Sequence, residues 1–297
     1  MTNIMAYVKN PVEGSNSCFG VVMADGLAST GNEKDGGYQK LFPIGKNYLL
    51  GTGDGGKIQF VADELYGKNE LGPEILSEKL IDLSNKYFVF GQGEQLNFIV
   101  VGPDSKRGLA IYNISANRIK KPILTRGTFS FDGSGSSFVY KALERDASKG
   151  MLIDYKKLTI ADLSSTLFDF GHVAKRSSGV NDEFQYGFIT PEGNATLIDP
   201  RINIVYPLKE YLDENRKLSP ELKERNDNFF KSLNQVLYEK HMLNVQSNKN
   251  LTELLSADPS ISKEELIANL SKLKEAVDNN RDKINEMIMS YIKEHNK

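Results

Sequence analysis

Residues 20–55, GVVMADGLASTGNEKDGGYQKLFPIGKNYLLGTGDG, decide the fold. Val21, Val22 and Met23 form a short apolar run that ends at Asp25. Residues 39–44 and 47–50 flank Gly45-Lys46, a two-residue pairing that suits the tight turn of a β-hairpin. The stretch therefore reads as strand, loop, strand, tight turn, strand, and a glycine-rich opening of a helix. Strands joined by so short a turn pair antiparallel, because a parallel pair needs a crossover of a dozen or more residues. Residues 3–9 are strand-like as well and lie just before this stretch.

Beyond it, residues 57–65 and 73–87 place Ile58, Val61, Ala62 and Leu65, then Ile75, Leu76, Leu80 and Leu83, at helical spacing. Two consecutive helices are expected there. Residues 95–101 and 108–114 read as strands joined through Gly102-Pro103-Asp104-Ser105, a run of turn formers. A Gly/Ser loop leads into a helix within residues 133–145. Thr159 and Asp162 have the spacing of a capping box, and Leu163, Leu167 and Phe170 carry a helix to about Ala174. Residues 184–190 and 195–198 make a late hairpin across Pro191-Glu192-Gly193. Strands, two helices, strands, two helices, strands is the order of an α+β, four-layer αββα sandwich, in which two antiparallel sheets stack face to face and helix pairs cover both outer faces.

Composition changes near residue 203: glycine disappears and Leu, Lys, Glu and Asn dominate. Residues 1–203 thus form the sandwich domain and residues 204–297 a C-terminal helical extension with at least three helical segments. Ser219-Pro220-Glu221 opens one, ahead of Leu222, Phe229, Phe230, Leu233, Val236 and Leu237. Ser262-Lys263-Glu264-Glu265 is a capping box ahead of Leu266, Ile267, Leu270 and Leu273. A last run ends at Tyr291 and Ile292. These apolar faces must be buried, either on the sandwich domain or against a partner, self-association included.

With 297 residues and 39% hydrophobic content the chain can bury a full core. Its 37 basic and 39 acidic residues nearly cancel, for a net charge of -2, which gives no electrostatic footprint for nucleic acid or an anionic membrane. One cysteine, Cys18, excludes an internal disulfide framework, and neither a basic-then-apolar leader nor a membrane-length apolar span is evident. A soluble, cytoplasmic protein is the expectation. No cofactor is implied. His172, His241 and His295 lack metal-ligand spacing and read as surface or helix-lining residues. Cys18 adjoins a strand without a nearby histidine and reads as a small buried apolar residue. Asp132, Arg145 and Asp146 read as ordinary loop and helix-end charges.

Gly51-Thr52-Gly53-Asp54-Gly55-Gly56-Lys57 fits Gly-x-Gly-x-x-Gly, and it fits the Walker pattern except that Ile58 stands where Ser or Thr would hold magnesium. Both nucleotide readings need a parallel βαβ unit, and the short hairpin before this loop argues against one.

Taken together, the stretch resembles the proteasome β-subunit and bacterial HslV branch of the N-terminal-nucleophile hydrolases. In that family a Thr made N-terminal by processing opens the first strand, an Asp ends the second and a Lys opens the third; Thr2, Asp25 and Lys40 match. Thr2 needs only loss of Met1 to become terminal. The resemblance implies a threonine-type peptidase or amidase acting on a peptide or protein substrate. Thr2 is its nucleophile, its own α-amine the base, and Lys40 and Asp25 the activating pair. Backbone N–H groups near Gly53 and Asp54 would form the oxyanion hole, where a side chain would block the substrate carbonyl. Gly133-Ser134-Gly135-Ser136 and Ser178-Gly179 resemble the family elements that orient the terminal amine, which assigns Ser134 and Ser178 to that role. Three departures stand beside these matches. Lys175 occupies the place of an Asp three residues before Ser178, with Asp182 as a nearby substitute; Leu27 replaces an Arg; and the first turn, residues 10–17, is long. They leave two other outcomes open: a catalytically silent assembly subunit, and an acyl transfer to an amine like that of the connectases. The extension would cover surface that a stacked ring needs, so a monomer or dimer is expected.

Overall fold

A computed structural model describes residues 3–26, 28–30, 33–35, 39–66, 71–91, 94–116, 121–125, 127–148, 155–177, 180, 184–195, 220–255 and 262–295. Strand β1 (Asn3–Lys9) is buried along its whole length. A strand without an exposed face needs cover on both sides, which is why it reads as a continuous apolar run rather than an alternating one. Ile4, Ala6 and Val8 enter a core shared with Val22, Ala24, Tyr48, Leu50, Ile99 and Ile111. Met5 and Tyr7 point the other way, into a core with Leu163, Leu167 and Phe170.

Two five-stranded antiparallel sheets result. The first contains β1, β2 (Phe19–Asp25), β10 (Phe129–Gly133), β11 (Phe184–Thr190) and β12 (Gly193–Ala195), in the order β10-β1-β2-β11-β12. The second runs in chain order through β5 (Leu41–Ile44), β6 (Asn47–Thr52), β7 (Asn97–Asp104), β8 (Gly108–Ser115) and β9 (Ile123–Leu124). Helices α1 (Gly55–Leu65) and α2 (Pro73–Tyr87) cover the second sheet, with Ile58, Val61, Leu76 and Leu80 against Leu49, Phe98 and Val100. Helices α3 (Ser136–Ser148) and α4 (Ile160–Ala174) cover the first. This is the αββα sandwich. The Tyr48 hydroxyl donates across the sheets to the Phe188 carbonyl at 3.2 Å. Gly187 makes room for that ring, since a Cβ there would lie 2.5 Å from it.

Local details depart from the sequence expectations. The loop before β5 contains a separate two-stranded ribbon, β3 (Ala28–Thr30) with β4 (Glu33–Asp35). Gly102, Pro103 and Asp104 are not the turn but the end of β7, paired with Ala110, Leu109 and Gly108. Pro103 breaks no rung, because Leu109 directs its N–H and C=O to the Asn10 side-chain amide at 2.8 and 2.9 Å. The turn itself is organised by Asp104, whose carboxylate accepts from the Lys106 and Arg107 amides. In the late hairpin the turn is only Pro191-Glu192; Gly193, at φ +133°, already pairs with Thr190.

Among its described residues the extension has two long helices, α5 (Pro220–Leu255) and α6 (Lys263–His295). Expected as two segments, residues 263–295 form one helix, because Asp278-Asn279-Asn280 lowers helix propensity without the Gly or Pro that would end it. Arg225 near the start of α5 pairs with Glu294 near the end of α6, so the helices run antiparallel. The boundary near residue 203 lies outside the described residues. Phe230, Leu233, Val236, Leu237, Ile284, Ile288 and Tyr291 pack into the same core as α4. Arg281 clamps Asp162 at 2.8 and 3.0 Å, and Asp162 also caps α4 by accepting from the Thr159 amide at 2.7 Å. Nearby, the His241 ring contacts the Asp169 carboxylate at 2.6 Å and lies 4.7 Å from the ring of His172. Among the described residues no helix is long and apolar enough to cross a membrane.

Two predictions follow from the docked helices. Leu233→Ala should destabilise the whole chain by about 2–5 kcal/mol in chemical denaturation, as for any fully buried leucine of a shared core. Burial lowers the proton affinity of His172, opposed by the Phe168 carbonyl and aided by His241 and Lys175. A folded-state pKa below the unfolded one means that this group's contribution is intact above about pH 6.5 and is lost as the pH falls below it. Melting temperature should therefore drop less between about pH 7.5 and about pH 5 in His172→Gln than in the unsubstituted chain; equal drops would place the titration elsewhere.

Candidate functional site

Asp25 ends β2 as a fully buried carboxylate. Burying it alone would be costly, so its partners define the site. The Lys40 ammonium donates to both of its oxygens at 3.1 Å, and the backbone N–H of Asn3 donates to Oδ1 at 2.6 Å. Lys40 is itself only 3% exposed. Its backbone is held from both sheets: its N–H donates to the side-chain oxygen of Gln185 in β11 at 3.1 Å, and its carbonyl accepts from Gly51 of β6 at 3.1 Å. Burial pushes the Lys40 ammonium below its ordinary value, while the charge and hydrogen bonds of Asp25 pull it back up.

The ladders bring the remaining candidates to the same end of β1. Asn3 pairs with Gly133, which places Asp132 and Ser134 on either side of that rung. The Ser134 hydroxyl accepts from Ser177 at 3.2 Å. Asp132 is not a loop charge, as read from sequence, but a β10 residue opposite Ile4, and it accepts from the Thr52 hydroxyl at 2.7 Å. Thr52 in turn leads into Gly53. At φ +117°, with any Cβ falling 2.2 Å from the Gln95 carbonyl oxygen, only glycine fits there.

Asp54 caps α1, its carboxylate accepting from the Lys57 amide at 3.0 Å. Its side chain is thus a helix cap, and only its backbone N–H is left for an oxyanion. Among the described residues no acceptor is found for the N–H of Gly53 or Asp54. Lys57 is ion-paired with Glu94 and lies over the Phe88 and Phe90 rings at 5.6 and 5.3 Å. Since β6 pairs antiparallel with both β5 and β7, the parallel unit that the nucleotide readings require is absent from this loop.

Asp25, Lys40, Ser134, Gly53 and Asp54 therefore cluster at the N-terminal end of β1. Thr2, Ser178, Asp182 and Leu27 lie outside the described residues, as do the side chains of Arg145, Asp146 and His295. Gln185, Thr52, Asp132 and Ser177 are members of the neighbourhood that sequence reasoning passed over. A polar residue inside an otherwise apolar strand, such as Gln185 in Phe184–Thr190, was the available signal. Asn3 adds another feature: both atoms of its fully buried side-chain amide lack a partner among the described residues.

Cys18 is half-buried against the core between the sheets, and burial, then Glu192, raises its thiol to about 11, so it is not poised as a thiolate. His172 and His241, read from sequence as surface or helix-lining residues, meet at the α4–α5 contact. Among the described residues no group of three or more His, Cys, Asp and Glu side chains converges as metal ligands would. No family model matches this chain, and no curated protein matches it.

Removing one partner of a buried ion pair leaves the other charged and unpaired, at a cost of about 3–5 kcal/mol, whereas replacing both with apolar groups is often close to neutral. Asp25→Asn should lower stability by that amount, and adding Lys40→Met should recover much of it. A double-mutant cycle from denaturant melts checks this; strictly additive losses would mean that the two side chains do not share one energetic unit.

Proposed function

We propose that the chain is a threonine-type N-terminal-nucleophile enzyme of the proteasome β and HslV kind, cleaving amide bonds of a peptide or protein through an acyl-enzyme on Thr2. One observation carries the reading. The buried Asp25 carboxylate holds the Lys40 ammonium and, with the same Oδ1, the N–H of Asn3. That N–H belongs to the peptide bond that joins Asn3 to Thr2. Consecutive α-carbons across a trans peptide lie about 3.8 Å apart, so the bonded amide is the one next to the proposed nucleophile.

In this reading removal of Met1 frees the Thr2 α-amine, whose ordinary pKa of about 7.7–8.0 suits it to accept a proton near neutrality. The amine takes the proton of the Thr2 hydroxyl, and the hydroxyl oxygen attacks the substrate carbonyl carbon. Lys40 favours the developing alkoxide by its charge, and Asp25 keeps that lysine protonated and fixed. The N–H groups at Gly53 and Asp54 receive the oxyanion. The proton is passed to the departing amine as the tetrahedral intermediate collapses to an ester on Thr2. Water then releases the acid, or an amine takes the acyl group as in a connectase-like transpeptidation. Ser134, bonded to Ser177, and Ser178 steady the terminal amine. No cofactor enters these steps. A cytoplasmic location accompanies the reading, in keeping with the single cysteine.

A catalytically silent subunit is the competing reading, favoured by Lys175 standing where the family keeps a carboxylate. Intact mass separates them, because retained Met1 leaves no terminal Thr amine. We expect Met1 to be absent, a β-lactone or vinyl-sulfone probe to add to Thr2, and Thr2→Ala and Lys40→Ala each to abolish labelling. Labelling that survives Thr2→Ala would move the chemistry elsewhere. Light-scattering mass of the full chain should correspond to a monomer or dimer, because α5 and α6 cover α4; a double ring would overturn that.

A further inference from the structure

The neighbourhood of Gly53 contains a carboxylate that the reaction above leaves unused. Asp132 stands directly across from Ile4 in the β1–β10 pair, and Ile4 belongs to the core between the sheets. Opposed residues of an antiparallel pair project to the same face. Asp132 accordingly projects between the sheets, where Thr52 of the other sheet donates to its Oδ2 at 2.7 Å. Thr52 is 5% exposed and fixed in a ladder with Asn97, so the carboxylate is held in one orientation. Its Oδ1 has no partner among the described residues.

This anion sits one residue from the Asn3 rung on one side, and its partner Thr52 is one residue from Gly53 on the other. Its bonded partner among the described residues, the Thr52 hydroxyl, is neutral, while Lys40 pairs with Asp25 and Lys57 with Glu94. A second negative charge next to a developing oxyanion opposes the reaction by Coulomb repulsion, unless a cation arrives with the substrate. We propose that Asp132 is a specificity-determining residue that pairs with a cationic side chain, Lys or Arg, of the peptide substrate beside the bond that is broken. The proposal rests on the reading of the chain as an N-terminal-nucleophile enzyme. Asp132 orients and selects; it exchanges no proton.

The test uses the full chain and three peptidyl vinyl sulfones that differ only in Lys, norleucine or Glu at the residue carrying the electrophile. The rate of Thr2 labelling is followed by intact mass. The unsubstituted chain should react with the Lys probe about ten-fold or more faster than with norleucine, the range of a charge-assisted hydrogen bond, and added salt should shrink the ratio. Asp132→Asn keeps an acceptor for Thr52 and should bring the ratio near one; Asp132→Lys should turn the preference towards Glu. A merely structural role would slow all three probes alike and leave the ratios intact. Equal rates for Lys and norleucine in the unsubstituted chain, or a ratio that survives Asp132→Asn, overturns the assignment of Asp132 alone. A Thr2 that no probe labels after loss of Met1 sinks the enzyme reading and this assignment with it.

Discussion

The rest of the structure depends on a buried ion pair. Asp25 ends a strand of the first sheet and Lys40 immediately precedes β5 of the second, and neither tolerates burial without the other. The sandwich has to align β2 and the residue before β5 so that an ammonium and a carboxylate meet within hydrogen-bond distance. Gln185 and Gly51 supply the backbone anchors that hold Lys40 there. An apolar pair of similar volume would serve stability about as well, so the pair is a costly arrangement for the sandwich to bury. That Asp25 also holds the amide of Asn3 ties the pair to the first residue of β1.

The same end of β1 gathers groups from both sheets because of how the ladders are registered. Pairing of Asn3 with Gly133 brings in the serine of the Gly-Ser run, and pairing of Thr52 with Asn97 carries β6 up to the glycine that must turn at Gly53. Close approach of the Gln95 carbonyl leaves no space for a side chain at that turn. The amides that follow are therefore presented bare. Such pre-set donors suit an oxyanion better than flexible side chains, since they need no rearrangement when charge appears.

Helices α5 and α6 belong to the stability of the sandwich as much as to an appended unit. Their apolar residues share one core with α4 and with the outer face of the first sheet. Polar clasps set their register: Arg281 on Asp162 at the start of α4, and His241 on Asp169 further along. Because Asp162 also completes the capping box of α4 with Thr159, docking of α6 and the local order of α4 are linked.

Much of this architecture was legible in the sequence. The apolar runs of β2, β5 and β6 with the Gly45-Lys46 turn, the helical spacing of α1 and α2, and the capping box at Thr159 are local signals, and local geometry follows from them. Asp25, Lys40 and Gly53 could be singled out by pattern. Their meeting could not be read by pattern, because proximity across sheets depends on strand register, and register comes from packing many distant side chains together. Pro103 inside β7, rescued by Asn10 taking the bonds of Leu109, shows why a turn-forming composition failed. Asp132 looked like any surface charge until β10 set it opposite Ile4 and Thr52 reached it from the other sheet. The sequence by itself determined most of the strands and helices, though not the β3–β4 ribbon, β9 or β10, whose short segments carry too few residues of periodic pattern. Only the tertiary structure decided which residues share a site, because the bonds that join them span up to 145 positions of chain.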